Sequence, residues 1–299
     1  MIKLQPEEHQ SLARYIYSLC AVILDESKGY LIEGRLSHLV EDAGCGSYGM
    51  LVQRARSDQS RVLEHRIVDA ITTNETSFFR DTAPFDLLRH KIVPEAIDRQ
   101  KRAGSTRLRI WSAACSTGQE IYSIAITLKE LLGNTEPYGV QLVGTDISND
   151  AVARASRGLY NPTEISRGLS AELRDKYFRQ TGGGWQIRDE LRAMAAFRRL
   201  NLMESFAALG RFDVVFCRNV AIYFNDRDRT SLFQRMEHAL EPNGCLVIGA
   251  MESLSGICPH FESKRHLRAV FYQLKAPATA GGRSRPGASA ELPAKSCVL

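Results

Sequence analysis

Apolar residues recur at helical spacing through roughly the first 75 positions of the chain. "EEHQSLARYIYSLCAVIL" carries one such stripe, and "KGYLIEGRLSHLVEDAG" carries another that stops at Gly44. "SYGMLVQRAR" and "RVLEHRIVDAI" follow, the second with Leu63, Ile67, Val68 and Ile71 on one face. No segment in this region alternates as a strand would, so a small helical domain is expected over residues 1–80. Its last stripe breaks into "TTNETSFFRD", Thr72 to Asp81. Thr and Asn side chains compete with the backbone for hydrogen bonds and favour helix ends, so a capped turn is one reading. It leaves the Phe-Phe-Arg unexplained. A further helical pattern, "APFDLLRHKIVPEAIDRQ", runs into the basic loop "KRAGSTRLR"; together they form a linker over 81–107.

From Leu108 the pattern changes. Short apolar runs ("LRIWSAA", "GVQLVGTDIS", "RFDVVFCRN", "GCLVIGA") alternate with helical stretches ("IYSIAITLKELLG", "NDAVARASRGLY", "RDRTSLFQRMEHAL"). That alternation predicts a parallel sheet with helical crossovers, an α/β fold, over 108–275. "RAVFYQL" reads as a strand at the sheet edge. "SAELRDKYFRQ" followed by "TGGGWQIRDELRAMAAFRRLNL" interrupts the alternation and predicts a small β-subdomain at about 178–200. The Pro-, Gly-, Ala- and Ser-rich segment 276–299 is expected to be disordered.

Composition narrows the classes. The chain has 299 residues, 44% of them hydrophobic and 24% charged, as in an ordinary soluble protein with a core large enough to need no staple. A net charge of +5 is mild and not concentrated, which argues against a nucleic-acid partner but suits an acidic one. The seven cysteines are scattered without a CxxC pair, so neither a metal site nor a disulfide framework is expected, and a reducing cytoplasm fits best. No signal peptide and no run long enough to span a bilayer is read, so direct membrane insertion is not expected.

Ligands of such sheets bind at the carboxyl ends of the strands. The first strand ends in "SAACSTGQE", where Gly118 would let the backbone approach a ligand, but the three-glycine phosphate fingerprint is absent. The second ends at Asp146, placed to accept hydrogen bonds from both hydroxyls of a ribose, or else to cap the next helix. Ribose without pyrophosphate points to S-adenosylmethionine (AdoMet). The fourth ends in "FCRNVAIYF", where Arg218, Asn219 and Tyr223 stand near the reacting centre. The absence of prolines there counts against a DNA amino-methyltransferase, and Tyr223 is alternatively a core tyrosine with a wet tip.

These segments together resemble the CheR family, the chemotaxis receptor glutamate methyltransferases. "TTNETSFFRD", "WSAACSTGQEIYSIA", "GTDIS", "ASRGLYN", "RRLNL", "FDVVFCRNVAIYF" and "ESL" occur in the family's order across residues 1 to about 275. The resemblance implies a helical receptor-docking domain, then a Rossmann-like AdoMet-dependent methyltransferase sheet with a β-subdomain insertion. It implies cofactor contacts from Asn74, Thr76, Arg80, Glu120 (the methionine end), Asp146 (ribose), Asn201 and Leu202 (adenine), Arg218 and Asn219. Arg80 and Tyr223 would lie beside the transferring methyl as the catalytic pair. The implied partners are chemoreceptor cytoplasmic helices, with a receptor C-terminal pentapeptide at the β-subdomain, and the chain would act as a cytoplasmic monomer. A receptor-binding module with little turnover is the alternative. One departure stands out: the second helix, strongly basic in relatives, keeps Arg35 but carries Glu41 and Asp42.

Overall fold

The computed structural model describes residues 2–104 and 106–275; the segment expected to be disordered, 276–299, lies outside the described residues. Four helices come first: α1 (Pro6–Cys20), α2 (Gly29–Asp42), α3 (Tyr48–Ser57) and α4 (Val62–Ile71). Their stripes close on a core of Leu12, Ile16, Ile32, Leu36, Tyr48 and Ile67. The first stripe promised helix through "AVIL", but α1 ends at Cys20 because Ala21 turns left-handed (φ 56°) and returns its N–H to the Tyr17 carbonyl. Val22–Leu24 are thereby freed from the helix to run across the second domain. "APFDLLRHKIVPEAIDRQ" is helical throughout, as α5 (Ala83–Leu87), a π-turn (Leu88–Ile92) and α6 (Val93–Arg102).

The second domain is built on β1 (Arg109–Ala113), α7 (Gln119–Leu132), β2 (Gln141–Asp146) and α8 (Asn149–Arg157). β3 (Leu159–Tyr160), α9 (Pro162–Ser166), α10 (Ala171–Tyr177), β4 (Phe178–Thr181), β5 (Gly184–Ile187) and α11 (Asp189–Arg192) follow. β6 (Ala195–Arg199), β7 (Phe212–Cys217), α12 (Asp226–Ala239), β8 (Leu240–Ile248), β9 (Phe261–His266) and β10 (Ala269–Leu274) complete it. The main sheet runs β6-β2-β1-β7-β8-β10-β9; β10 alone of these runs antiparallel, to both β8 and β9. Its central strands are buried on both faces, as the uninterrupted apolar runs require.

Three readings of the sequence need amending here. "RAVFYQL" (β10) is not the edge; it lies between β8 and β9, and the true edge strand, "FESKRH", was missed because four of its six residues are exposed. The small sheet is β3-β5-β4, so it begins before 178 and ends at Ile187. Ala195–Arg199, read as part of it, pairs in parallel with β2 in the main sheet.

Contacts between the domains cluster at the end of α1. The Tyr17 hydroxyl donates to Asp228 (2.6 Å), the Asn201 side-chain amide donates to the Leu19 carbonyl (2.8 Å), and the Ile23 N–H to the Tyr223 carbonyl (3.3 Å). They lay the Val22–Leu24 strap over the carboxyl ends of the parallel strands.

Candidate active site

One cavity opens under that strap, and the ten residues that the family resemblance implies for the site line it: Asn74, Thr76, Arg80, Glu120, Asp146, Asn201, Leu202, Arg218, Asn219 and Tyr223. Residues over 140 positions apart are brought together because β1, β2 and β7 all end here and the 72–82 segment crosses their tips.

Asp146, the last residue of β2, accepts the Ser116 N–H (2.8 Å) on one oxygen and the Ser148 N–H (3.0 Å) on the other. It does not cap α8; Ser148 does, through Ala151 N–H (3.1 Å). The two backbone bonds fix the carboxylate and leave each oxygen capacity to accept a further hydrogen bond from a ligand hydroxyl in the cavity that Asp146 lines. Burial raises the Asp146 pKa, and those same N–H groups oppose the rise.

Arg218 follows β7 with its side chain 2% exposed. Its guanidinium donates to Glu120 (2.9 Å), to Asp81 (2.9 Å) and to the Arg80 carbonyl (2.7 Å), and sits 5.9 Å from the Phe85 ring. Its Nε–H is buried with no partner among the described residues. Glu120, in the first turn of α7, also accepts from the Ser112 hydroxyl (2.6 Å). A buried acid and a buried fork of donors thus face one end of the cavity. That is the donor set a zwitterionic amino-acid group requires.

The polar segment after α4 is held from both sides. Arg35 donates to the Ile71 carbonyl (2.6 Å), the Thr72 carbonyl (3.3 Å) and the Thr73 hydroxyl (3.1 Å), and Ser116 donates to the Asn74 carbonyl (2.9 Å). Arg35, α2's only Lys or Arg, is therefore a cap on α4 and half-buried. The adjacent phenylalanines have separate tasks. Phe78 is fully buried, edge-on to Tyr160 (4.9 Å) and Phe178 (5.4 Å). Phe79 takes a left-handed turn (φ 48°) that brings its N–H to the Ser123 hydroxyl (2.9 Å). The chain pivots on these anchors and Arg80 emerges into the cavity, its guanidinium on the Glu75 carbonyl (3.2 Å). Gly168 presses against this pivot: a Cβ there would stand 1.9 Å from the Phe78 carbonyl oxygen.

Gly118, in contrast, was expected to admit a ligand and does not line the cavity. A Cβ on it would meet Ala155 at 2.9 Å and the Tyr160 hydroxyl at 3.1 Å, so it is the packing of α8 that requires glycine. Asn201 spends its amide on Leu19 and Met203, and Leu202 offers its side chain to the core beside the cavity. Tyr223 is 37% exposed at the mouth, so it is not a core tyrosine. Among the described residues no cluster of His, Cys, Asp and Glu is gathered for a metal ion.

Four contributors escaped the sequence reading. Val22, Leu24 and Ile147 supply apolar wall, the first two because α1 stops early. Glu252, the acid of "ESL", accepts the Asn219 N–H (2.9 Å) and the Gly249 N–H (2.7 Å). It holds Asn219 in its left-handed conformation (φ 57°) and so sets the directions in which Arg218 and Asn219 leave the strand. Glu252→Ala should cost about 1.5–3 kcal/mol, the range for bonds to a charged acceptor, while Glu252→Gln, which keeps an acceptor oxygen, should lose less than half of that. Urea unfolding of the two variants checks this; equal losses would mean that the acceptor is not what holds the turn.

A family model described as the CheR methyltransferase SAM-binding domain matches residues 74–269. The chain belongs to the CheR methyltransferase family. The matched span starts at Asn74 and contains every cavity residue named above apart from the strap. The "Chemotaxis protein methyltransferase Cher2" of Pseudomonas putida is 41% identical over 266 residues, covering 87% of this chain and 95% of that protein. The "Chemotaxis protein methyltransferase" of Vibrio parahaemolyticus is 38% identical over 277 residues, 92% of this chain and 99% of that one. Coverage of the CheR relatives therefore extends through the N-terminal helices as well. S-adenosylmethionine is the cofactor of this CheR domain, and the cavity's acids, arginine fork and apolar wall fit its ribose, amino-acid end and adenine in chemical kind.

Proposed function

We propose that this protein transfers the methyl group of AdoMet to glutamate side chains of chemoreceptor cytoplasmic helices, giving methyl esters and S-adenosylhomocysteine in chemotactic adaptation. The observation that carries the reading is the convergence of Arg80 and Tyr223 on the same cavity as Asp146, Glu120 and Arg218. When bound, the sulfonium cofactor supplies an activated methyl group. A glutamate carboxylate is already ionised at neutral pH, so the chain needs no general base. Its task is positioning. Arg80, half-buried at the cavity, orients the incoming carboxylate through its guanidinium; Tyr223 at the mouth borders the approach. Oriented approach of reacting atoms accounts for about 7 kcal/mol or more of a barrier.

Asp146 would hold the ribose hydroxyls, Glu120 and Arg218 the amino-acid end, Asn201 and Leu202 the adenine, with Asn74, Thr76 and Asn219 completing the contacts. The helical domain would dock the receptor. β4 pairs with β5 alone, so its outer edge is open to a receptor C-terminal pentapeptide added as a strand. No helix of the described residues is long and apolar enough to cross a membrane; a cytoplasmic monomer agrees with a substrate on the receptors' cytoplasmic side.

Asp146→Ala should weaken S-adenosylhomocysteine binding by roughly 1.5–3 kcal/mol, the size of a charged hydrogen bond. Calorimetry on the folded variant measures it, and unchanged affinity removes Asp146 from the ribose site. The function is tested by incubating the protein with radiolabelled AdoMet and a soluble cytoplasmic receptor fragment. Catalytic incorporation of label into the fragment supports the enzyme. Binding of both partners without turnover would leave only a docking module.

A further inference from the structure

Docking an acidic receptor segment calls for positive charge near the cavity mouth; in the helical domain Arg35, Arg54 and Arg56 keep their charge but are held in local contacts. Arg35 is spent on α4, and Asp42 pairs with Arg66 (2.8 Å). Arg54 donates to the Ala43 carbonyl, Arg56 lies over the Tyr15 ring (5.3 Å), and Arg61 pairs with Glu64. On the β-subdomain Arg174 pairs with Asp175 (2.7 Å) and Lys176 with Glu130 (2.6 Å).

The hairpin joining β9 to β10 concentrates its cations in one short turn. Residues 263–268 read SKRHLR, four of the six Lys, Arg or His and none acidic. Lys264 is paired with Glu262 (3.5 Å), but Arg265 and Arg268 are exposed with no hydrogen bond or ion pair from their side chains among the described residues. Between them Leu267 is 63% exposed, at the tip in a left-handed turn (φ 52°), and Val270, the pairing partner of Arg265, is 47% exposed. The register fixes where this tip lies. β10 runs antiparallel to β8 with Tyr272 opposite Leu246, which puts Ala269 level with the carboxyl end of β8. The tip thus projects at the same end of the sheet as the cavity. β10 is two strands from β7, about 10 Å at the usual strand spacing. The intervening strand leads into Met251, 93% exposed and adjacent to the Glu252 that grips Asn219. On its other side the hairpin's core strand packs with α5, which follows Arg80 directly.

We propose that the β9–β10 hairpin, through Arg265 and Arg268 with Leu267 at the tip and Met251 on the neighbouring strand exit, is a second docking surface, beside the helical domain, for the acidic, glutamate-bearing helix of the substrate receptor. The inference rests on the reading of the methyl acceptor as a protein glutamate. Charge complementarity selects the occupant: two unneutralised guanidinium groups face a segment that carries carboxylates by definition, and the apolar residues between them match the apolar stripe of an amphipathic helix. Arg265 stands on β9, three strands or about 14 Å from the strand that bears Arg218, and Arg268 in the turn between β9 and β10, so both lie at or beyond the screening length at physiological salt and act on capture and not on the chemical step.

The test compares wild type with the R265E/R268E variant, measuring initial rates of methyl transfer over a range of concentrations of a soluble cytoplasmic receptor fragment. The expected result is a KM raised about 10-fold or more with kcat within about twofold, as loss of a capture surface requires, and an unchanged Kd for S-adenosylhomocysteine. R265K/R268K should restore most of the KM, which a structural defect would not allow. A wild type that transfers methyl groups to the fragment, with a charge-reversed variant of unchanged KM, overturns the hairpin assignment alone. A wild type that transfers none overturns the glutamate-methylation reading and the hairpin with it. Loss of binding to anionic phospholipid vesicles in the variant, with KM for the fragment unchanged, would assign the patch to the membrane surface and also overturn the proposal.

Discussion

Arg218→Leu should cost the protein about 3–5 kcal/mol of stability, the range for removing one partner of a buried ion pair. It should also abolish measurable binding of S-adenosylhomocysteine. Arg218 is the point where three elements meet: it joins Glu120 of α7, Asp81 and the Arg80 carbonyl of the polar segment, and the tip of β7. Without it Glu120 keeps only the Ser112 hydroxyl and becomes a poorly compensated buried carboxylate. Arg218→Lys should rescue little, because one ammonium cannot span acceptors that a planar fork reaches from two ends. Urea unfolding with calorimetry on the same samples measures both effects. A variant within about 1 kcal/mol of wild type that still binds the product would show the network to be a surface-like pair of little worth.

Arg80→Ala should reduce kcat by roughly 100-fold or more, since displacement of a reacting group by about 1 Å already costs that much. Tyr223→Phe should give a smaller loss, about 10-fold, in the range of one weakened transition-state contact. Neither should change S-adenosylhomocysteine affinity by more than about threefold, if both groups act on the incoming carboxylate and not on the cofactor. Among the described residues the Arg80 side chain bonds only to the Glu75 carbonyl, and Tyr223 stands at the mouth. The arginine must not bind the ground-state carboxylate too tightly, or it would slow transfer. Steady-state rates combined with calorimetry decide the matter. Loss of product binding in Arg80→Ala with single-turnover transfer intact at saturation would make Arg80 a cofactor ligand instead.

The parallel strands were legible in the sequence because their apolar runs are buried on both faces and interrupted by amphipathic helices. Asp146, Arg218, Asn219 and Tyr223 were legible because strand tips in such sheets are where ligands meet the chain, whereas Asn74, Thr76, Arg80, Glu120, Asn201 and Leu202 came from the resemblance to the CheR family, the polar knot at Thr72–Asp81 being also open to reading as a capped turn. Other features left weaker signals. β9 exposes Glu262 to Arg265 along an edge and so carries no apolar alternation. The early end of α1 depends on the backbone of Ala21, which the apolar "AVIL" disguised as more helix. Gly118 carried the wrong meaning for a physical reason: a glycine beside a strand tip can serve ligand approach or helix packing, and only the 2.9 Å approach of Ala155 tells which. Arg35 reads as a surface cation by position on a helix, yet its reach to the Ile71 and Thr72 carbonyls makes it part of the fold.

The central claim, that the methyl acceptor is a glutamate carboxylate, is tested most directly by the chemistry of the product bond. Receptor fragment labelled by the wild-type protein with radioactive AdoMet should release its label as volatile methanol on mild alkaline treatment, and peptide mapping should place the methyl groups on glutamate side chains. Label that withstands alkali, or that maps to amine or ring-nitrogen positions, would contradict the account.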